Sequence, residues 1–285
     1  MPFTLSHPAA VLPLMRRPFS RTALVAGAVA PDLPYFLVAT GLPVSAQSWY
    51  EPFANATTTH GVSGVAAITL PYALLLGALL RAARRPLVSL LPSSVPWPPS
   101  GAVAAPVRRA GWIVLSALIG IATHLVWDAF THVDGFVVTR TPWLASTLVG
   151  GLTWARALQH ASTIGGLVAI ALYAWRRREH LRPGSGRPRP VRGPRRQVLL
   201  AMALFAAAGA AAHAWRWLAG PEAETTGLSS AGLLEGVLSD AAKGAGAGLI
   251  AALALYVLAW WIRCAVAEAR SARSGAGGAG PVRGD

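Results

Sequence analysis

The sequence predicts an all-α, polytopic integral membrane protein of about six spans that opens with a short helical hairpin. Three observations predict this class. Apolar runs long enough to cross a bilayer recur along the chain. The 285 residues are 54% hydrophobic and 13% charged, which excludes disorder and fits a membrane protein better than a soluble enzyme. The basic residues, all arginine except Lys243, cluster in the loops between the apolar runs.

The elements follow in order. Residues 3–15 are apolar but too short to span, and Arg16, Arg17, Pro18 and Arg21 form a basic turn after them. The run 22–40 is interrupted by Pro31-Asp32-Leu33-Pro34, which places a break near Ala30. Residues 6–15 and 22–30 therefore read as the hairpin, whose antiparallel arms bring His7 and Asp32 to one level. A connector over 41–61 ends in Thr57-Thr58-Thr59-His60-Gly61. Further spans are predicted at about 62–80, 111–131, 157–175, 197–218 and 245–262. A Pro-rich loop covers 86–106, a flexible Arg/Pro linker 176–196 and an acidic connector 219–244. The expected organisation is one transmembrane domain over 1–265, followed by a disordered basic tail over 266–285.

The distribution of arginine sets the orientation. With a cytoplasmic N-terminus, all the basic residues except Arg140, Arg156, Arg216 and Lys243 fall on the inside. The expected location is the cell membrane, multi-pass, with both termini cytoplasmic. The formal charge of +14 follows from these loops and points to anionic lipid, with no nucleic-acid partner expected. Cys264 is the only cysteine, which excludes an internal disulfide and a Cys-rich zinc site.

The chemistry concentrates in Thr123-His124-Leu125-Val126-Trp127-Asp128-Ala129-Phe130-Thr131-His132. His124, Asp128 and His132 recur at i, i+4 and i+8, so they stack along one helix face with a drift of about 40° per step. Two imidazoles around a carboxylate on one face suit a first-row metal. Titratable groups inside a span are costly, about 2.5–3.5 kcal/mol each on insertion scales, and call for a function or mutual hydrogen bonds. His7, Asp32 and His60 are the other candidates, each with a bland counterpart: a cap or interfacial imidazole, a turn former between prolines, and a histidine beside a capping threonine run. His160 and His213 have no acidic neighbour at helical spacing and read as structural, while His180 reads as solvated. There is no GxSxG elbow, Walker loop or Rossmann glycine pattern.

The opening Met1-Pro2-Phe3-Thr4-Leu5-Ser6-His7-Pro8, the Pro31-Asp32-Leu33-Pro34 break, the His60-Gly61 pair, the His124 to His132 motif and Leu158-Gln159-His160 resemble a bacterial membrane-protein family, domain of unknown function 4184. The resemblance implies the fold and no established activity. More distantly, the order of His, Pro-Asp, His at a helix start and HxxxD is similar to membrane-bound metal-dependent hydrolases. That similarity implies a metal set of His7, Asp32, His60, His124 and Asp128. One departure is that Thr59-His60-Gly61-Val62-Ser63 supplies a single histidine where those hydrolases are richer.

The expected function is a metal-dependent hydrolase acting on a lipid-like or membrane-delivered ester. The expected metal ligands are His7, Asp32, His60, His124, Asp128 and His132. The expected cofactor is a divalent ion, zinc first, with Asp32 or Asp128 orienting a water or accepting its proton. Two alternatives stay open: a non-enzymatic membrane protein pinned by a structural His/Asp cluster, and a proton or metal carrier.

Overall fold

The computed structural model describes residues 4–38, 49–90, 106–150, 152–177, 195–220 and 230–276. Most of the Pro-rich loop, most of the arginine linker with His180, the Glu222 and Glu224 part of the acidic connector, and the end of the basic tail lie outside these residues.

The described chain is helical apart from a two-stranded antiparallel hairpin, β1 (Thr147–Val149) and β2 (Leu152–Thr153). Five helical stretches are long and apolar enough to cross a membrane: Val62–Ser89, Val107–Thr131, Trp154–Arg176, Arg195–Leu218 and Gly236–Ser271. The remaining predicted run is the broken one. It forms α1 (Arg21–Val29), a 3-10 turn at Ala30–Asp32 and α2 (Leu33–Val38). Pro31 has no N–H to continue the helix, so the break falls where the two prolines require it.

The chain divides into two compact units, Met1–Arg84 with Leu91–Pro188, and Arg85–Leu90 with Arg189–Asp285.

In the first unit, the N-terminal arm of the hairpin is a 3-10 helix over Thr4–Leu14 that contains Pro8 and Pro13. Its buried Val11 packs with Leu24 and Ala28 of α1. Then come α3 (Glu51–Ala54), α4 (Ala56–His60), α5 (Val62–Gly64), a π-helical turn at Val65–Thr69 and α6 (Leu70–Ser89). His60 therefore ends a short helix rather than starting a span. The N-cap of α4 is Asn55, whose side chain accepts from Thr57 N at 2.9 Å. The threonine run serves tertiary structure instead: Thr59 donates to Pro31 O at 2.7 Å, and Thr69 to Thr59 O at 2.7 Å.

The central helix α7 (Pro106–Thr131) crosses α1 at two glycines. A Cβ on Gly27 would strike the carbonyl of Ala117, and one on Gly120 would strike the carbonyl of Leu24. Only hydrogen at both positions lets the backbones touch, as small residues do between membrane helices. Beyond α7, α8 (Pro142–Ala145) and the β hairpin lead to α9 (Trp154–Arg176), which packs on the N-terminal 3-10 helix.

In the second unit, α10 (Arg195–Leu218) packs along α11 (Ser230–Ala276). Gly209, Gly244 and Gly248 make the same kind of close backbone approach. Leu204 and Leu255 stay exposed, as lipid-facing positions do. Helix α11 continues to Ala276, so the start of the predicted disordered tail is helical.

Candidate metal centre

Four side chains from three separate elements meet at one end of the first unit. Asp32 comes from the 3-10 turn between Pro31 and Pro34, His60 from the end of α4, and His124 and Asp128 from successive turns of α7. One ligand-type atom from each lies within 4.8 Å of all the others. Asp32 and His124 are 1% and 0% exposed, and Asp128 7%.

The shared atoms are Asp32 Oδ1, His60 Nε2, His124 Nε2 and Asp128 Oδ2. His124 Nε2 is 3.1 Å from Asp128 Oδ2 and 3.5 Å from Asp32 Oδ1. His60 Nε2 is 3.5 Å from Asp128 Oδ2 and 3.7 Å from Asp32 Oδ1. A tetrahedral ion with bonds of about 2.0–2.1 Å has ligand–ligand edges of about 3.3–3.4 Å. The four nitrogen–oxygen edges bracket that value.

Hydrogen bonding at the far side of each ring sharpens the fit. His124 Nδ1 lies 2.8 Å from Ala28 O, and His60 Nδ1 lies 2.7 Å from Ala56 O. A carbonyl only accepts, so each contact assigns the imidazole proton to Nδ1 and leaves a lone pair on Nε2. Ala28 lies in the last turn of α1, where carbonyls lack helical partners, and the Gly27–Gly120 crossing brings α7 close enough to use one. Both lone pairs face carboxylate oxygens, which is repulsive unless a cation or protons lie between them. Consistent with this, Asp32 Oδ1, His124 Nε2 and Asp128 Oδ2 are buried and without hydrogen-bond partners. A backbone-anchored Nδ1 with a free Nε2 is the usual arrangement of a metal-ligating histidine. The donor set of two imidazoles and two carboxylates suits zinc or a similar first-row ion, so the residues fit the expected group.

His7 and His132 stand one oxygen further out. His7 Nε2 lies 3.1 Å, and His132 Nε2 3.4 Å, from Asp128 Oδ1, the carboxylate oxygen outside the four-atom set. The His7 ring stacks on His124 with centroids 3.9 Å apart, and Trp127 tilts against the His7 ring at 5.7 Å. All six predicted ligands are thus in one cluster, four sharing a centre and two bordering it. His160 is exposed and outside the cluster. His213 does have an acidic neighbour, Asp240 at 3.9 Å in the second unit, but across the α10–α11 pair, where helical spacing cannot show it. Asp134 is 87% exposed, in keeping with a turn residue.

Two contacts were not foreseen from the sequence. Thr4 donates its hydroxyl to Asp32 Oδ2 at 2.6 Å, and Trp127 Nε1 donates to Ser162 Oγ of α9 at 3.1 Å. The signal for Thr4 was its spacing of three residues from His7, positions that eclipse in a 3-10 helix.

The family model described as Domain of unknown function (DUF4184) matches residues 1–258. The chain belongs to this family. The match takes in the whole His/Asp cluster and most of the second unit. No curated protein and no solved structure matches the DUF4184 chain.

Proposed function

We propose that the His/Asp cluster is a divalent-metal centre and that it hydrolyses a lipid-like or membrane-delivered ester. The observation that carries the metal reading is the set of four inward-facing ligand atoms, three of them buried and unpartnered, whose nitrogen–oxygen separations bracket a tetrahedral edge. Asp32, His60, His124 and Asp128 would hold the ion. When bound there, it supplies Lewis acidity and lowers the pKa of water.

The cluster is not sealed, and this supports hydrolysis over a purely structural pin. The His60 and His132 side chains are 25% and 23% exposed, whereas Asp32 and His124 are closed off. Substrate therefore approaches past these two imidazoles. Asp128 is the carboxylate on that side. It orients the attacking water, whose proton passes to the departing alcohol while the new bond forms at the acyl or phosphoryl centre and the bond to the alcohol oxygen breaks. His132 Nε2 lies 3.4 Å from Asp128 Oδ1 without a hydrogen bond and borders the carboxylate on this open side.

The reading also sets an orientation. Arg81 and Arg84 of α6, Arg108 and Arg109 of α7, and Arg176 of α9 with Arg177 just after it all lie toward helix ends remote in sequence from the cluster. The arginine bias puts those ends in the cytoplasm and the centre toward the outer face. A bilayer location gives the enzyme direct access to lipid.

The test is hydrolysis of vesicle-embedded and detergent-dispersed ester and phosphoester lipids by purified full-length protein, with and without chelator. Turnover that chelator abolishes and zinc restores supports the reading. A metal-loaded protein inert on every ester would leave the pin or carrier alternatives in its place.

A further inference from the structure

The two carboxylates of the centre present four oxygens, and the fold treats them unequally. Asp32 Oδ1 and Asp128 Oδ2 face the two free imidazole nitrogens. The other two oxygens are both met by the N-terminal segment. Thr4 Oγ1 donates to Asp32 Oδ2 at 2.6 Å, and His7 Nε2 meets Asp128 Oδ1 at 3.1 Å.

The local geometry explains how one short segment reaches carboxylates from two different elements. Thr4 and His7 belong to the 3-10 helix Thr4–Leu14, and at three residues per turn, positions i and i+3 eclipse. Both side chains therefore leave the helix on the same side, one above the other. In an α-helix they would diverge by about 60°. The shorter contact, to a carboxylate, takes the imidazole proton on Nε2, so Nδ1, 3.3 Å from Thr4 O, makes no hydrogen bond there. The segment itself is firmly held. Ser6, His7 and Val11 are buried, and Gly166 of α9 lies so close that a Cβ there would come within 3.0 Å of Ser6.

The geometry points to the N-terminal segment as the outer shell of a one-ion, four-coordinate centre, in which Thr4 and His7 are positioning residues that make each carboxylate bind through a single oxygen. This rests on the metal reading above and specifies it further. With Oδ2 of Asp32 and Oδ1 of Asp128 occupied, neither carboxylate can chelate. The ion then has two nitrogen and two oxygen donors when substrate is absent, and a substrate entering on the His60 side would be a fifth ligand. That arrangement favours Zn²⁺ or Co²⁺ over Ca²⁺, Mg²⁺ or Mn²⁺, which need more oxygen ligands. It also assigns His7 to holding Asp128 rather than to binding an ion of its own.

The experiment uses the full-length chain in detergent and Co²⁺ as the probe, because its visible bands distinguish four from higher coordination. Wild type should bind one equivalent with intense four-coordinate bands. Thr4→Val and His7→Phe should still bind one equivalent, about 10- to 100-fold more weakly, with bands weakened toward higher coordination as the released oxygen chelates. Thr4→Ser and His7→Gln keep a donor and should restore the affinity and the bands, which separates positioning from mere folding. Unchanged affinity and bands in Thr4→Val and His7→Phe would overturn the proposal. So would two equivalents in wild type falling to one in His7→Gln, since His7 would then be a ligand. Folded wild type that binds no Co²⁺ or Zn²⁺ would instead refute the metal reading itself.

Discussion

His124 Nε2 lies 3.1 Å from Asp128 Oδ2, one turn along the same helix, with its proton committed to Ala28 O on the opposite side of the ring. The pair is thus preset for a cation: a lone pair and an ionised oxygen on one rigid element, aimed at a shared point. His60 and Asp32 face that point from two other elements.

The first prediction concerns the crossing that brings Ala28 and His124 together. Gly120→Ala introduces a Cβ against the carbonyl of Leu24, which cannot move without moving α1. Overpacking of this kind costs about 1–3 kcal/mol. Thermal unfolding in detergent should show the loss, and metal affinity should fall with it. A neutral substitution would mean that the helices are not in contact there.

His132 separates binding from turnover. It touches Asp128 Oδ1 and stands outside the four-atom set, so His132→Ala should retain the metal. Ester hydrolysis should drop by about 10- to 100-fold, as for loss of a group that borders a metal ligand. Loss of the ion in His132→Ala would instead place this imidazole among the ligands.

The link between α7 and α9 gives a smaller effect. Trp127→Phe removes the indole donor to Ser162 Oγ and should cost about 0.5–1.5 kcal/mol, read from detergent melting. Ser162→Ala should cost a similar amount, and the double variant little more than either alone. Full additivity would show that the two groups do not interact.

Orientation is open to cysteine labelling in a Cys264→Ser background. An impermeant reagent added outside should reach single cysteines placed in 41–59 and 219–240 and should miss those in 86–106 and 178–196. Labelling of the arginine linker from outside would reverse the topology and turn the centre toward the cytoplasm.

Much of this architecture was legible in the sequence because membrane helices announce themselves by length and apolarity, and Pro31 and Pro34 mark their own break. The His124, Asp128 and His132 spacing reads directly as one helix face. His7 and Asp32 were connected by the turn between two short arms, since a hairpin brings its far ends together. What stayed hidden depends on conformation rather than composition. Thr4 eclipses His7 because the first arm is 3-10, whereas an α-helix would set the two about 60° apart. His60 closes α4 instead of opening a span because Asn55 takes the cap and Gly61 begins a new turn. The approach of His213 to Asp240 needs two helices to pack, and no spacing within one helix encodes it.

The most direct measurement is elemental analysis of detergent-purified wild type beside His124→Ala and Asp128→Asn. Each variant removes one of the four converging atoms or its charge, and neutral histidine with ionised aspartate is what a divalent cation requires. The account predicts about one equivalent of zinc or a similar first-row ion in wild type and none in either variant. Wild type that carries no metal, and that stays folded and equally stable in excess chelator, would contradict it.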